Sequence, residues 1–203
     1  GLTETNAVGA SLSGEPFHLK PKSSGFLHPT VEVQVLGASG EVLTKNQTGE
    51  LWVKSPTTIS GYWNRPDAND KDFSNGWFNS GDIGYFDEEG FLFLSDRAKD
   101  LVIRGGENIY PAEIEAVISE HEEILEVAAF GVADEKWGEQ LAVVIVSRNG
   151  EPLPESSIRE FAATRLAKFK VPTYIRFQAE PLPRNPAGKI LKNKLKESYS
   201  HLA

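Results

Sequence analysis

Residues 81–111 read GDIGYFDEEGFLFLSDRAKDLVIRGGENIYP, from Gly81-Asp82 to Pro111. Two short apolar runs flank the turn-forming Asp87-Glu88-Glu89-Gly90, a pattern that predicts a β-hairpin whose second strand covers Phe91 to Leu94. A charged pentad follows, Asp96-Arg97-Ala98-Lys99-Asp100, then Leu101-Val102-Ile103 as a short strand. The pair Gly105-Gly106 lets something narrow approach the backbone, and Pro111 suits the first position of a helix. Asp82 and Arg97, at the two ends of one hairpin, can clamp a polyol such as ribose. The pentad reads as a joint between two bodies.

On the N-terminal side, Val31 to Val35 alternates at period two and Gly49 to Lys54 reads as a second strand. Gly61-Tyr62-Trp63-Asn64-Arg65-Pro66 leaves the sheet. This part is β-rich, like a small barrel or sandwich. On the C-terminal side, Ile114, Val117, Ile118 and Ile124 mark one face of a helix. Val127 to Val132 and Leu141 to Val146 are β-branched runs, hence strands. Pro154 precedes a helix with Ile158, Phe161 and Leu166 inward, Tyr174 to Phe177 is a strand, and Ile190, Leu191, Leu195 and Tyr199 mark a last helix. The predicted fold is mixed α/β: a β-rich, barrel-like part followed by a compact α+β domain.

Composition narrows the function. A net charge of -8 over 203 residues argues against nucleic-acid binding. With no cysteine there is no disulfide, thiolate metal site or cysteine nucleophile. No apolar run approaches the ~20 residues needed for a transmembrane segment, and a cytoplasmic location is expected. His18, His28, His121 and His201 lack metal-ligand spacing. The chain contains no Met and starts at Gly1, which reads as a fragment of a longer protein.

A second constellation is Leu182-Pro183-Arg184-Asn185-Pro186-Ala187-Gly188-Lys189-Ile190. Prolines and a glycine hold an extended loop with a lysine before a helix, placed to neutralise phosphate or carboxylate charge. Each signal has a plainer alternative. Lys189 can be a solvated helix-start lysine, and Gly105-Gly106 a tight turn between strand and helix. Asp82 can cap the hairpin, Arg97 can pair with Asp96 or Asp100, and Trp137 can be a half-buried loop residue.

Five groups in order carry a resemblance: Gly1-Leu2-Thr3-Glu4, Ser80-Gly81-Asp82, Asp96 to Asp100, Gly105 to Glu115, and Pro183 to Lys189. Together they resemble the C-terminal portion of an adenylate-forming enzyme of the AMP-binding superfamily, in the acyl-CoA synthetase or fatty-acid–CoA ligase branch. The resemblance covers essentially the whole chain. It implies that residues 1–96 are the C-terminal part, barrel-like, of the large N-terminal domain. Residues 97–100 would be a hinge and 101–203 the C-terminal lid domain.

By that resemblance Thr3 contacts the α-phosphate of ATP and Glu4 helps hold Mg²⁺. Asp82 and Arg97 bind the ribose hydroxyls. Lys189 is the catalytic, nucleotide-binding lysine of acyl-AMP formation. Lys99 is the hinge about which the lid rotates before the acyl group passes to CoA. Gly105 and Gly106 line the pantetheine tunnel, and Trp137 and Phe169 lie near the CoA nucleotide. The partners implied are a carboxylic acid, most simply a fatty acid, with ATP and CoA, and a protein acetyltransferase acting on Lys189. The family's phosphate loop and carboxylate pocket belong upstream of Thr3, so the missing N-terminal portion is a further partner and these residues alone are expected to be inactive. The rivals are an adenylation domain or acyl-AMP ligase that feeds a carrier protein, a luciferase-like oxidase, and a non-catalytic interaction module. The Gly-Gly of GGENIYP favours the CoA ligase.

Overall fold

The computed structural model describes residues 1–6 and 9–199; His201 lies outside them. The chain divides into two compact units, Gly1–Lys99 and Asp100–Ala203.

The first unit is sheet-rich. Strand β1 (Ala10–Ser11) pairs with β2 (Phe26–Leu27), and the short helix α1 (Glu15–Leu19) lies between them in sequence. Five more strands follow: β3 (Glu32–Leu36), β4 (Gly49–Lys54), β5 (Phe73–Ser74), β6 (Trp77–Phe86) and β7 (Leu92–Arg97). β3, β4 and β6 are successive antiparallel neighbours, and both β5 and β7 pair with β6. The β-rich expectation holds, with the strands forming an open sheet rather than a closed barrel among the described residues. Val35, Leu51 and Leu92 centre its core. Residues 61–66 do leave the sheet, but into a helix, α2 (Pro66–Asp72), opened by Pro66.

The β6–β7 hairpin turns where expected, with Asp87 Oδ1 accepting from the N–H groups of Glu89 and Phe91 at 3.0 and 2.9 Å. One irregularity matters. Gly84 pairs with Leu94, yet Ile83 pairs with Asp96, so Ser95 is an extra residue in β7. Without that bulge Asp82 would stand opposite Asp96, and like charges directly opposite are destabilising. With it, Asp82 stands opposite Arg97. Bulges of this kind re-aim side chains near functional sites.

The second unit is a five-stranded sheet covered on both faces. Its strands are β8 (Val102–Arg104), β9 (Glu107–Ile109), β10 (Ile124–Asp134), β11 (Gly138–Ser147) and β12 (Tyr174–Phe177). β10 and β11 form a long antiparallel hairpin. The other edge of β11 takes β8 at Gly138 and, in parallel, β12 at Ala142–Ile145. Helices α3 (Pro111–Ser119) and α4 (Glu155–Ala163) cover one face, and α5 (Lys192–Ser198) the other.

Strand alternation accounts for the continuous apolar runs. Val127, Ala129, Leu141, Val143 and Ile145 face Ile114, Ile118, Ile158 and Ala162. Ala128, Phe130, Val132, Ala142, Val144 and Val146 face Leu182 and Leu195. A strand buried on both faces needs no polar side, and each fully buried branched side chain contributes roughly 1.5–3 kcal/mol.

The structure corrects five readings. Ile190 and Leu191 precede the last helix, which begins at Lys192, because Ile190 is bridged to Arg184. α3 ends at Ser119, so Ile124 opens β10 instead of extending the helix. Gly105-Gly106 turns one short strand into another, β8 into β9, and the helix begins only at Pro111. Phe161 is half-buried against His121, while Ala162 points into the core. Leu166 is buried beyond the end of α4.

Candidate functional site

Asp82 and Arg97 are joined directly, Arg97 Nε to Asp82 Oδ1 at 2.7 Å. The Asp82 side chain is 16% exposed and that of Arg97 45%. The carboxylate is largely buried while the guanidinium is open to solvent, which screens the pair from one side. Two hydrogen bonds through Ser80 hold the backbone at Asp82. Ser80 Oγ donates to the Leu51 carbonyl at 2.7 Å and accepts the Asp82 N–H at 3.1 Å. Asp82 lies on the wall of an apolar cleft of about 130 Å³ that Leu2, Thr5, Leu51 and Leu94 also line.

Thr3 and Glu4 sit in a 3-10 turn, Thr3–Thr5, beside that cleft. The Ile59 N–H donates to the Glu4 carbonyl at 2.8 Å, and the Tyr62 hydroxyl donates to Glu4 Oε1 at 3.0 Å. Burial, reinforced by the Glu4 carboxylate, pushes the Tyr62 hydroxyl up to about 12, so it remains a donor across the physiological range. Asn69 fixes Tyr62 in turn through its backbone, at 2.7 and 3.0 Å. Among the described residues no group of three or more potential ligands could hold a metal by itself. A carboxylate such as Glu4 fits Mg²⁺ that is held mainly by nucleotide phosphates.

In the second unit Gly105 has φ +59° and Gly106 φ +88°. A Cβ on Gly105 would lie 2.6 Å from Trp137 Cε3, whereas one on Gly106 would meet nothing within 4 Å. The Gly105 N–H donates to the Trp137 carbonyl at 2.8 Å. Asp134 Oδ1 shapes the Trp137 turn by accepting the Trp137 and Lys136 N–H groups; the Trp137 bond is the main reason its carboxyl sits below the usual range.

The structure links Trp137 and Phe169 through a residue the sequence did not single out, Arg104. Its guanidinium carbon lies 5.4 Å from the Trp137 ring centre, its Nε donates to Gln140 Oε1 at 2.7 Å, and its Nη1 to the Phe169 carbonyl at 3.2 Å. The 40% exposed indole also carries Lys136 Nζ at 5.1 Å, and Lys170 Nζ is 5.7 Å from the Phe169 ring. Phe169 is partly buried and Lys170 is ion-paired with Glu113 at 2.7 Å, so it is the exposed Trp137 face, with Arg104 and Lys136 beside it, that suits a ligand combining a base with phosphate.

We expect Gly105→Ala to destabilise the fold by about 1–3 kcal/mol, from a left-handed alanine plus the displaced indole. Gly106→Ala should cost less, since only the backbone term applies. Denaturant midpoints of the two variants check this, and equal costs would contradict it.

Lys189 is exposed, and its ammonium has no hydrogen-bond or ion-pair partner among the described residues. Its backbone is fixed, with its N–H donating to Asn185 Oδ1 and its carbonyl accepting the Asn185 N–H, both at 2.9 Å. No hydrogen bond, ion pair or ring contact among the described residues joins it to Gly105, Trp137 or Phe169. The next lysine of the motif differs: Lys192 Nζ is 2.7 Å from Glu115 Oε1 and largely buried. Lys99 is exposed in the 3-10 turn Ala98–Asp100.

Residues 113–189 match the AMP-binding enzyme C-terminal domain, and residues 1–63 match the AMP-binding enzyme family. The chain is 46% identical over 199 residues to the long-chain-fatty-acid–CoA ligase FadD13 of Mycobacterium tuberculosis, covering 98% of this chain and 39% of that protein. It is 42% identical over 196 residues to the 2-succinylbenzoate–CoA ligase of Geobacillus kaustophilus, covering 97% and 40%. The o-succinylbenzoate CoA synthetase of Bacillus subtilis, solved with its acyl-adenylate intermediate, superposes with a TM-score of 0.89 at 39% identity over 97% of this chain and 40% of that one. The same enzyme with ATP and magnesium gives 0.88 at 38% identity, with 97% and 40% covered.

The two family matches fall one in each unit of the chain. The chain belongs to the AMP-binding enzyme family, and these relatives are acid–CoA ligases. It spans about 40% of the length of the curated relatives it matches. No helix among the described residues is long and apolar enough to cross a membrane.

Proposed function

We propose that the protein carrying this chain is an AMP-forming acid–CoA ligase that activates a carboxylic acid with ATP and passes the acyl group to CoA. The observation that supports it most is the Asp82–Arg97 pair, set opposite each other by the β7 bulge, with Asp82 on the wall of a cleft. Two vicinal ribose hydroxyls can donate to such a carboxylate while the guanidinium fixes its direction. Thr3 is assigned to the α-phosphate, and Glu4, steadied by Tyr62, to Mg²⁺, which supplies charge neutralisation at the phosphates.

Lys189 is assigned to the adenylation step, where its charge stabilises the pentavalent phosphorus centre as pyrophosphate leaves. Rotation about Lys99 then carries Lys189 away and brings the Gly105-Gly106 turn to the adenylate. Trp137 and Phe169, with Arg104 between them, receive the CoA nucleotide. A fatty acid is the proposed substrate class, supported by the likeness to the fatty-acid ligase, with aryl acids as the alternative outcome of a substrate panel. A reaction that draws on ATP and CoA suits the cytoplasm. Lys189, exposed and unpartnered, is also open to a protein acetyltransferase, and acetylation would remove its charge.

Equilibrium binding of AMP tests the reading. Asp82→Asn in the enzyme carrying this chain should raise the Kd at least ~10-fold, the scale of one charge-assisted hydrogen bond. An unchanged Kd would remove the Asp82–Arg97 pair from the nucleotide site.

A further inference from the structure

The loop that bears Lys189 has its own shape and a separate attachment to the domain. Its shape is local. Besides the Asn185–Lys189 bonds, the Gly188 N–H donates to the Asn185 carbonyl at 2.9 Å, the Leu191 N–H to the Pro183 carbonyl at 2.7 Å, and Arg184 and Ile190 form a β-bridge. These bonds fold the loop on itself, but none of them fixes its tilt on the sheet.

The attachment runs through three side chains, Leu182, Ile190 and Glu126, and Ile190 packs against the core on the α5 face. Leu182, 2% exposed, plugs the loop's base into the core on the α5 face. Glu126, on β10, accepts the Leu182 N–H through Oε2 at 2.8 Å and Arg184 Nη2 through Oε1 at 2.9 Å. Arg184 then reaches forward, its Nη1 donating to the Gly188 carbonyl at 2.7 Å. That carbonyl belongs to the peptide that joins Gly188 to Lys189. The guanidinium is therefore a strut from a core strand to the peptide next to the lysine. Burial pushes the Glu126 carboxyl up, but the Leu182 N–H and Arg184 together outweigh it and hold it below the usual range.

Beyond the strut, Pro186 to Lys189 are all exposed. Nothing else among the described hydrogen bonds and ion pairs ties the tip of the loop to the sheet. A charge that acts in a transition state loses its effect when displaced, and a misplacement of ~1 Å can cost ~10²-fold. Ile190, next to the lysine, also packs on the α5-face core, so Arg184 sets the fine placement of the Gly188–Lys189 peptide, its planar fork meeting two acceptors at once, a geometry lysine cannot reproduce.

We propose that Arg184, anchored by Glu126, is a positioning residue that holds Lys189 in place for acyl-adenylate formation and has no part in thioester formation. This rests on the assignment of Lys189 to adenylation.

The test is a double-mutant cycle in the enzyme carrying this chain, read by ATP–pyrophosphate exchange and by single-turnover thioesterification of supplied acyl-adenylate. Arg184→Gln should lower kcat for exchange ~10-fold with KM for ATP changed less than twofold, and leave thioesterification unaltered. Arg184→Lys should not restore the rate. In a Lys189→Ala background Arg184→Gln should have no further effect, because there is no ammonium left to position. Glu126→Gln should slow exchange in the same direction, and combined with Arg184→Gln should add nothing to it. Full additivity of Arg184→Gln with Lys189→Ala, or equal slowing of both half-reactions together with a lowered Tm, would overturn the proposal and make Arg184 merely structural. If Lys189→Ala itself leaves exchange intact, the assignment of Lys189 fails instead, and the two failures are told apart.

Discussion

Lys189→Ala, made in the enzyme carrying this chain, is expected to slow acyl-adenylate formation by ~10²-fold or more while conversion of supplied acyl-adenylate to thioester stays nearly unchanged. As the carboxylate attacks and pyrophosphate leaves, negative charge spreads over the α-phosphate and its neighbours. An ammonium placed there stabilises the transition state more than the ground state, which raises kcat. The structure leaves Lys189 exposed on a loop with a fixed backbone. Lys192, three residues on, is engaged by Glu115 and serves as the contrast. Lys192→Ala should act through the stability of α5, with no selective loss of one half-reaction. Acetylation of Lys189 should reproduce the alanine result, since it removes the charge and keeps most of the side chain. Unimpaired exchange in Lys189→Ala would take the residue out of the mechanism.

The second large effect is expected at Lys99. Proline there fixes φ near -65°, which restricts the backbone of the turn Ala98–Asp100 to a narrow range of geometries. If Lys99 is the pivot, Lys99→Pro should preserve pyrophosphate exchange and lower thioester formation by at least ~10²-fold, the scale of a misplaced reacting group. Lys99→Ala, which keeps the backbone free, should be close to native in both. Equal loss of both half-reactions in the proline variant would make residue 99 structural.

Much of this was legible in the sequence because local pattern and tertiary environment agree. Val127–Val132 and Leu141–Val146 read as strands and are strands, since a sheet covered on both faces leaves an uninterrupted apolar signature. Pro111 and Pro154 marked helix starts for local steric reasons. What sequence could not show was register and long-range partnership. The extra residue at Ser95, which sets Asp82 opposite Arg97, leaves no compositional trace. Arg104 lay within the deciding stretch, yet its partner Gln140 is 36 residues away. Arg184 meets Glu126 across 58 residues, and Tyr62 meets Glu4 across the same separation. Helix α2 was hidden for a different reason. PDANDKD has no apolar stripe, and its only signals were Pro66 at the start and Asp67 in the first turn.

The most direct measurement follows nucleotide and thioester together in the enzyme carrying this chain, supplied with ATP, Mg²⁺, CoA and a panel of fatty and aryl acids. With a productive acid, AMP and acyl-CoA should appear one for one, and without CoA the acyl-adenylate should accumulate. Release of ADP in place of AMP, or an adenylate that forms and passes to a carrier protein but never to CoA, would contradict the proposed function.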